Sequence, residues 1–189
     1  MKWIIILIAL LCLCCGMFAQ TNSHTFSEPR FESRAEFHVV GLYIEDTMES
    51  QAIMDLWINF FKNKHKISAK TGKGEYGITS MLENYDPETH MGYRYIVGTR
   101  VKNTKNVPKN MIAHTVPEAY YAIFEHHGLI NSVDTTFSYI FGEWLPRSGY
   151  EVVQKDIFEY YDSRFKHNSE DSIMEIWVPV TKKADQPQE

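Results

Sequence analysis

Ala119-Tyr120-Tyr121-Ala122-Ile123-Phe124-Glu125-His126, ended by Gly128 and followed by a helical pattern from Ser132 to Trp144, is the stretch that decides the fold. Its aromatic and β-branched residues predict a strand. In the next segment Phe137, Ile140, Phe141 and Trp144 fall on one face of a helix, and Pro146 and Gly149 are placed to stop it. Strands over 156–161 and 173–180 complete a strand–helix–strand–strand unit.

The first half carries the same plan. Phe37 to Ile44 reads as a strand, and Asp46-Thr47-Met48-Glu49 as a helix start. Ile53, Leu56, Trp57 and Phe60 repeat the one-faced helical spacing. Strands over 76–82 and 93–101 follow, joined by the turn-rich Asn84-Tyr85-Asp86-Pro87. Two matching βαββ units predict an α+β fold: a duplicated antiparallel sheet with two helices packed on it. The cleft between the halves is the natural place for a ligand.

The ends read differently from the middle. Met1-Lys2, an apolar run from Trp3 to Phe18, and Ala19 before a polar stretch have the form of a secretory signal peptide cut after Ala19. The run is short for a membrane span, so an uncleaved anchor is the lesser alternative. The expected organisation is a signal over 1–19, a flexible lead-in over 20–30, one domain over 31–181 and a polar tail over 182–189. The expected location is secreted or periplasmic, with membrane contact only through an uncleaved signal. All three cysteines (12, 14 and 15) lie in the signal, which leaves the exported product without disulfides or thiolate ligands. The formal net charge of −5 and the want of a basic block argue against a nucleic-acid partner and favour cationic small molecules.

The most informative single residue is Glu159 in Asp156-Ile157-Phe158-Glu159-Tyr160-Tyr161-Asp162. Alternation puts it on the side of Ile157 and Tyr161, with Phe158 and Tyr160 opposite. An acid on an apolar face costs several kcal/mol, roughly, unless it is paired, protonated or met by a ligand. The bland outcome is a structural ion pair with Arg94, Arg100 or Arg164. His126-His127 points to two faces and offers no metal clasp, and no other histidine has ligand spacing, so neither metal nor cofactor is expected. Gly72-Lys73-Gly74-Glu75-Tyr76-Gly77 matches a nucleotide-loop string, but it lies between a helix and a strand in the wrong order for one.

Val116-Pro117-x-x-x-Tyr121-Ala122-x-Phe124-x-x-x-Gly128, then Glu143-Trp144-Leu145-Pro146-x-Ser148-Gly149-Tyr150, Phe158-Glu159-x-Tyr161-Asp162 and Ile176-x-Val178-Pro179 follow in order. The chain thereby resembles the GyrI-like small-molecule-binding domain, the effector-binding module of Rob-type and BmrR-type transcription activators, over about 31–180. The resemblance implies a pseudo-twofold pair of βαββ units around a cleft for lipophilic, often cationic compounds. It assigns Glu159 to the ligand's positive charge, and Tyr76, of the Tyr76-Gly77 pair, to a ligand contact. It also allows a hydrolase of strained electrophiles, because some stand-alone members open cyclopropane rings with a pocket glutamate. Glu118-Ala119 departs from the family's glycine after the proline. No DNA-binding segment precedes the match, and an exported chain would not meet gyrase.

The expected function is binding of a hydrophobic, cationic or aromatic small molecule outside the cytoplasm, for sequestration or sensing. The expected site is Glu159 with walls from Tyr76, Tyr93, Trp144 and Tyr161. The rival is the hydrolase with Glu159 as its acid or base. Trp57, Phe60, Phe137 and Phe141 are read as core.

Overall fold

A computed structural model describes residues 26–86, 88–89 and 91–183; the expected signal peptide and most of the polar tail lie outside them. Strand β1 is Arg30–Arg34, β2 Phe37–Glu45, β3 Lys70–Asp86, β4 Met91–Val101, β5 Ile112–Val116 and β6 Ala119–His127. β7 is Tyr150–Val152, β8 Ile157–Tyr161 and β9 Ile173–Lys182. Helix α1 is Ser50–Asn63. The second helical run is a composite: α2 Val133–Ser138, a wider π-helical stretch Tyr139–Trp144, and α3 Leu145–Arg147. Pro146 falls inside α3 rather than after it, and the run closes one residue later at Arg147, with Gly149 in left-handed backbone just beyond.

The strands form one antiparallel sheet in the order β1-β6-β9-β8-β3-β4-β2-β5, with β7 paired to β9. The order reads outward in both directions from the β8–β3 seam as a duplicated plan. Unit one is β2, α1, β3 and β4; unit two is β6, the helical run, β8 and β9. The duplicated α+β fold is therefore what the sequence described. The strands that precede each unit are exchanged: β1 pairs with β6 of the second unit, and β5 with β2 of the first.

That exchange forces the sheet to curl. β1 and β2 sit six strand spacings apart along the sheet, about 29 Å if it were flat. Only residues 35 and 36 join them, a reach of roughly 11 Å. The β5–β6 link, Pro117-Glu118, makes the same demand from the other edge. The two edges therefore swing toward each other, and an aromatic-rich cluster fills the inside of the curl: Phe37, Tyr76, Ile78, Ile96, Tyr121, Phe158 and Trp177 among others. Both helices lie on the outer face. α1 covers Val40, Tyr95, Val97 and Val101 with Leu56 and Phe60, while the second run covers Ala122, Phe124, Met174, Ile176 and Val178 with Ile140, Phe141 and Trp144. A sheet that curls away from its helices splays them, and the β3–β8 seam is the floor between.

Within 26–30, the end of the expected lead-in, Phe26 and Pro29 are at least partly buried while Ser27, Glu28 and Arg30 are exposed. Phe26 stacks on Tyr139 at 4.4 Å, and Glu28 accepts a hydrogen bond from the Trp144 indole N–H at 3.0 Å. No described helix is long and apolar enough to cross a membrane.

Candidate functional site

The floor between the helices is set by register. Gly77 of β3 pairs with Glu159 of β8, Glu75 with Tyr161 and Thr79 with Ile157. On the other side Gly77 pairs with Val97 of β4, and Thr79 with Tyr95. Paired residues share a face, so Glu159, Tyr161, Gly77, Tyr95 and Val97 all stand on the helix-bearing side. At the pseudo-twofold seam one unit supplies an acid and the other a glycine. A Cβ on Gly77 would lie 2.5 Å from Glu159 Oε2 and 2.4 Å from the Tyr95 hydroxyl. The missing side chain is what admits both groups.

Glu159 Oε2 accepts two hydrogen bonds, from the Tyr95 hydroxyl at 2.8 Å and the Tyr161 hydroxyl at 2.9 Å. Tyr95 in turn receives the indole N–H of Trp57 from α1, and the Trp57 ring meets Tyr161 edge-on at 4.8 Å. Helix α1 is thus wired to the acid through a hydrogen-bonded chain. Among the described residues neither Arg94, Arg100, Arg164 nor any other cation pairs with Glu159: Arg94 pairs with Glu45, Arg164 with Asp162, Glu125 and Glu175, and Arg100 lies over the Phe37 ring. The expected alternative of a structural ion pair is not what the fold builds. Oε1 has no hydrogen-bond partner among the described residues, and the residue as a whole keeps partial exposure. The acid is thus enclosed by protein and still touched by solvent.

Burial raises the Glu159 carboxyl above the ordinary carboxylate range, and the tyrosine hydrogen bonds pull partly back. The same enclosure, with the negative charge of Glu159 beside them, holds Tyr95 and Tyr161 well above the ordinary phenol value, so both remain donors. The arrangement offers a cation one free carboxylate oxygen and the faces or edges of three aromatic rings.

The other expected wall residues are scattered. Tyr76 is a correction: it neighbours Gly77 along β3 and so alternates to the inside of the curl, where it pairs with Tyr160, packs on Phe37 and accepts a hydrogen bond from Arg34 at 3.2 Å. Tyr93 shares the outer face two residues from Tyr95, but its hydroxyl feels Asp46 rather than Glu159. Trp144 belongs to the cluster that Tyr161 edges, yet its own ring partners are Phe31, Phe124 and Tyr150. Tyr95 and Trp57 were missed. Tyr95 carried one signal, its alternation with Tyr93, while Trp57 lay at the margin of an apolar helix face that reads as core.

The histidine pair divides between faces: His126 is buried against Thr136 and the Leu129 carbonyl, and His127 is exposed beside Glu125. No cluster with metal-ligating composition occurs among the described residues.

The chain spans about half the length of a curated relative, the transcriptional regulator BrlR of Pseudomonas aeruginosa, with 29% identity over 153 residues that cover 80% of this chain and 54% of that one. Among solved structures, SAV2435 bound to tetraphenylphosphonium superposes with a TM-score of 0.66 at 20% identity, covering 82% of this chain and 94% of that one. A bacterial transcription regulation protein from Staphylococcus aureus MU50, described as putative, follows at 0.61 and 18%, covering 82% and 98%. Residues 27–181 match the model of the GyrI-like small molecule binding domain, and the chain belongs to that family.

Proposed function

We propose that the hollow between α1 and the second helical run binds a lipophilic cation, with Glu159 meeting its charge and Trp57, Tyr95 and Tyr161 its rings. The observation that carries this is an enclosed carboxylate held by two tyrosine hydroxyls, with a free second oxygen and no cation of its own among the described residues. Each aromatic face adds about 0.5–2 kcal/mol toward a cation, more when water is excluded. A neighbouring fold that holds tetraphenylphosphonium is in keeping with this ligand class. Export through the apolar run from Trp3 to Phe18 would place the domain outside the cytoplasm, where sequestration or sensing of such compounds is the role we assign; a mature product starting at Gln20 in the exported fraction is the check.

Titrating tetraphenylphosphonium into the chain while following tryptophan fluorescence, with Trp57→Phe to identify the contribution of Trp57, tests the site. Saturable quenching is expected, and Glu159→Gln is expected to weaken affinity at least about tenfold with the fold intact. Equal affinity in that variant would refute the assignment. The raised pKa of Glu159 favours one second reading, in which the protonated carboxyl gives its proton to the leaving atom of a strained electrophile as water adds. Incubation with a cyclopropane-bearing alkylator, followed by mass, separates the two: a product heavier by one water supports turnover.

A further inference from the structure

The chain's overall acidity hides a local reversal, and the expected want of a basic block does not hold over residues 62–73. Lys62, Lys64, Lys66, Lys70 and Lys73 stand within twelve consecutive positions that hold no acid. They gather around the C-terminal end of α1. Lys64 Nζ lies 5.0 Å from the centre of the Phe61 ring, Lys66 Nζ donates to Asn63 Oδ1 at 2.7 Å, and Lys70 Nζ donates to the Lys64 carbonyl at 3.4 Å. Of the five, Lys64 alone has a carboxylate partner among the described residues, Glu75.

The same helix leaves an apolar band bare. Met54, Ile58 and Phe61, at i, i+4 and i+7, are 55%, 45% and 53% exposed. Phe61 stacks on Trp57 at 5.7 Å, so the band continues from the cleft wall onto the outer surface. The fold does not require it. The second helical run occupies the equivalent place and turns Asp134, Ser138, Gly142 and Glu143 outward.

We propose that this lip of α1 docks on an anionic bilayer surface. The three apolar side chains enter the boundary between headgroups and acyl chains, while the lysines reach along it to the phosphates. A soluble polyanion would use the lysines and ignore the band. A second copy of the chain would cover the band without calling for a run of lysines beside it. Only a charged, greasy surface satisfies both features. This contact is additional to whatever the N-terminal segment does, and it does not depend on the ligand reading. Where that reading also holds, docking would open the cleft at the interface where lipophilic cations concentrate.

The test uses residues 20–189, without the apolar leader, sedimented with vesicles of phosphatidylcholine alone or with about one-third phosphatidylglycerol. Binding is expected only to the anionic vesicles, weakening as salt rises toward about 0.5 M. Met54→Ser/Ile58→Ser/Phe61→Ser and, separately, Lys62→Glu/Lys66→Glu/Lys73→Glu are each expected to lower it at least about tenfold. All six positions are exposed, and an unchanged thermal melt verifies that the variants fold. Equal binding to both vesicle types overturns the proposal, as does a serine variant that binds at full strength, which would leave plain polyanion attraction. A dimer in sedimentation equilibrium that the serine variant splits would assign the band to a second copy instead.

Discussion

Glu159 and Glu175 lie on neighbouring strands, on opposite faces of one sheet, and the protein treats them in opposite ways. Glu175, inside the curl, is clasped by Arg30 at 2.9 Å and Arg164 at 2.7 Å, and its other oxygen accepts the Trp177 indole N–H at 2.9 Å. Glu159, on the helix-bearing face, has phenol hydroxyls and no guanidinium. Both are enclosed carboxylates among aromatic rings, and β8 and β9 carry them within one register step, Tyr160 opposite Glu175 and Glu159 opposite Ile176. Burial alone therefore does not mark a site. What marks it is that compensation is supplied on one face and withheld on the other.

The largest effect should come from breaking the compensated side. Arg164 also binds Asp162 and Glu125, so Arg164→Ala leaves several acids facing one another around Glu175. Removing one partner of a buried pair costs up to about 3–5 kcal/mol, and the partial exposure of Arg164 with the survival of Arg30 brings the expected loss to about 2–3 kcal/mol. Urea unfolding measures it. Glu159→Gln should show no such loss, because the amide sheds a desolvated charge and still accepts from both tyrosines. If the two variants unfold at the same denaturant concentration, the contrast between the faces is wrong.

Next in size is Gly77→Ala. The added Cβ collides with both Glu159 Oε2 and the Tyr95 hydroxyl, and displacing packed groups typically costs about 1–3 kcal/mol. The informative readout is the pair of measurements. Stability and tetraphenylphosphonium affinity should fall together, whereas Gly142→Ala, which meets nothing within 4 Å, should leave affinity alone.

The same contrast explains what the sequence could disclose. The helices and the inner strands were legible because their burial is one-sided, so apolar period and element coincide at Leu56 and Phe60 or at Ile140 and Trp144. The face shared by Glu159 and Tyr161 was legible for the same reason, since alternation within one strand needs no partner. β1 and β5 were not, because Arg-Phe-Glu-Ser-Arg and Ile-Ala-His-Thr-Val have no consistent apolar side and owe their conformation to strands of the other unit. Tyr95 escaped for a related reason. Its meeting with Glu159 spans three strands and depends on the register that puts Gly77 between them, which no local pattern states. Tyr76 differs in the opposite sense: the resemblance assigns it to the ligand, whereas one step along β3 from Gly77 turns it to the other face from Glu159.

The smallest effect is a shift on the pH axis. Burial raises the Glu159 carboxyl in the folded protein above its unfolded value. Between those two values the folded chain holds a proton that the unfolded chain has released, so stability falls as pH rises through the window and is level above it. A bound cation needs the ionised carboxylate, so affinity moves the other way, rising through the same window with release of a proton. Tyr161→Phe removes one donor to the ionised form and should displace both curves further toward neutral pH, with a modest loss of affinity, about 1.5–3 kcal/mol at most for a bond to a charged group. Calorimetry of tetraphenylphosphonium binding in buffers of different ionisation enthalpy reads the released proton directly. Affinity and stability that rise and fall together with pH would mean that Glu159 is not the group that meets the ligand.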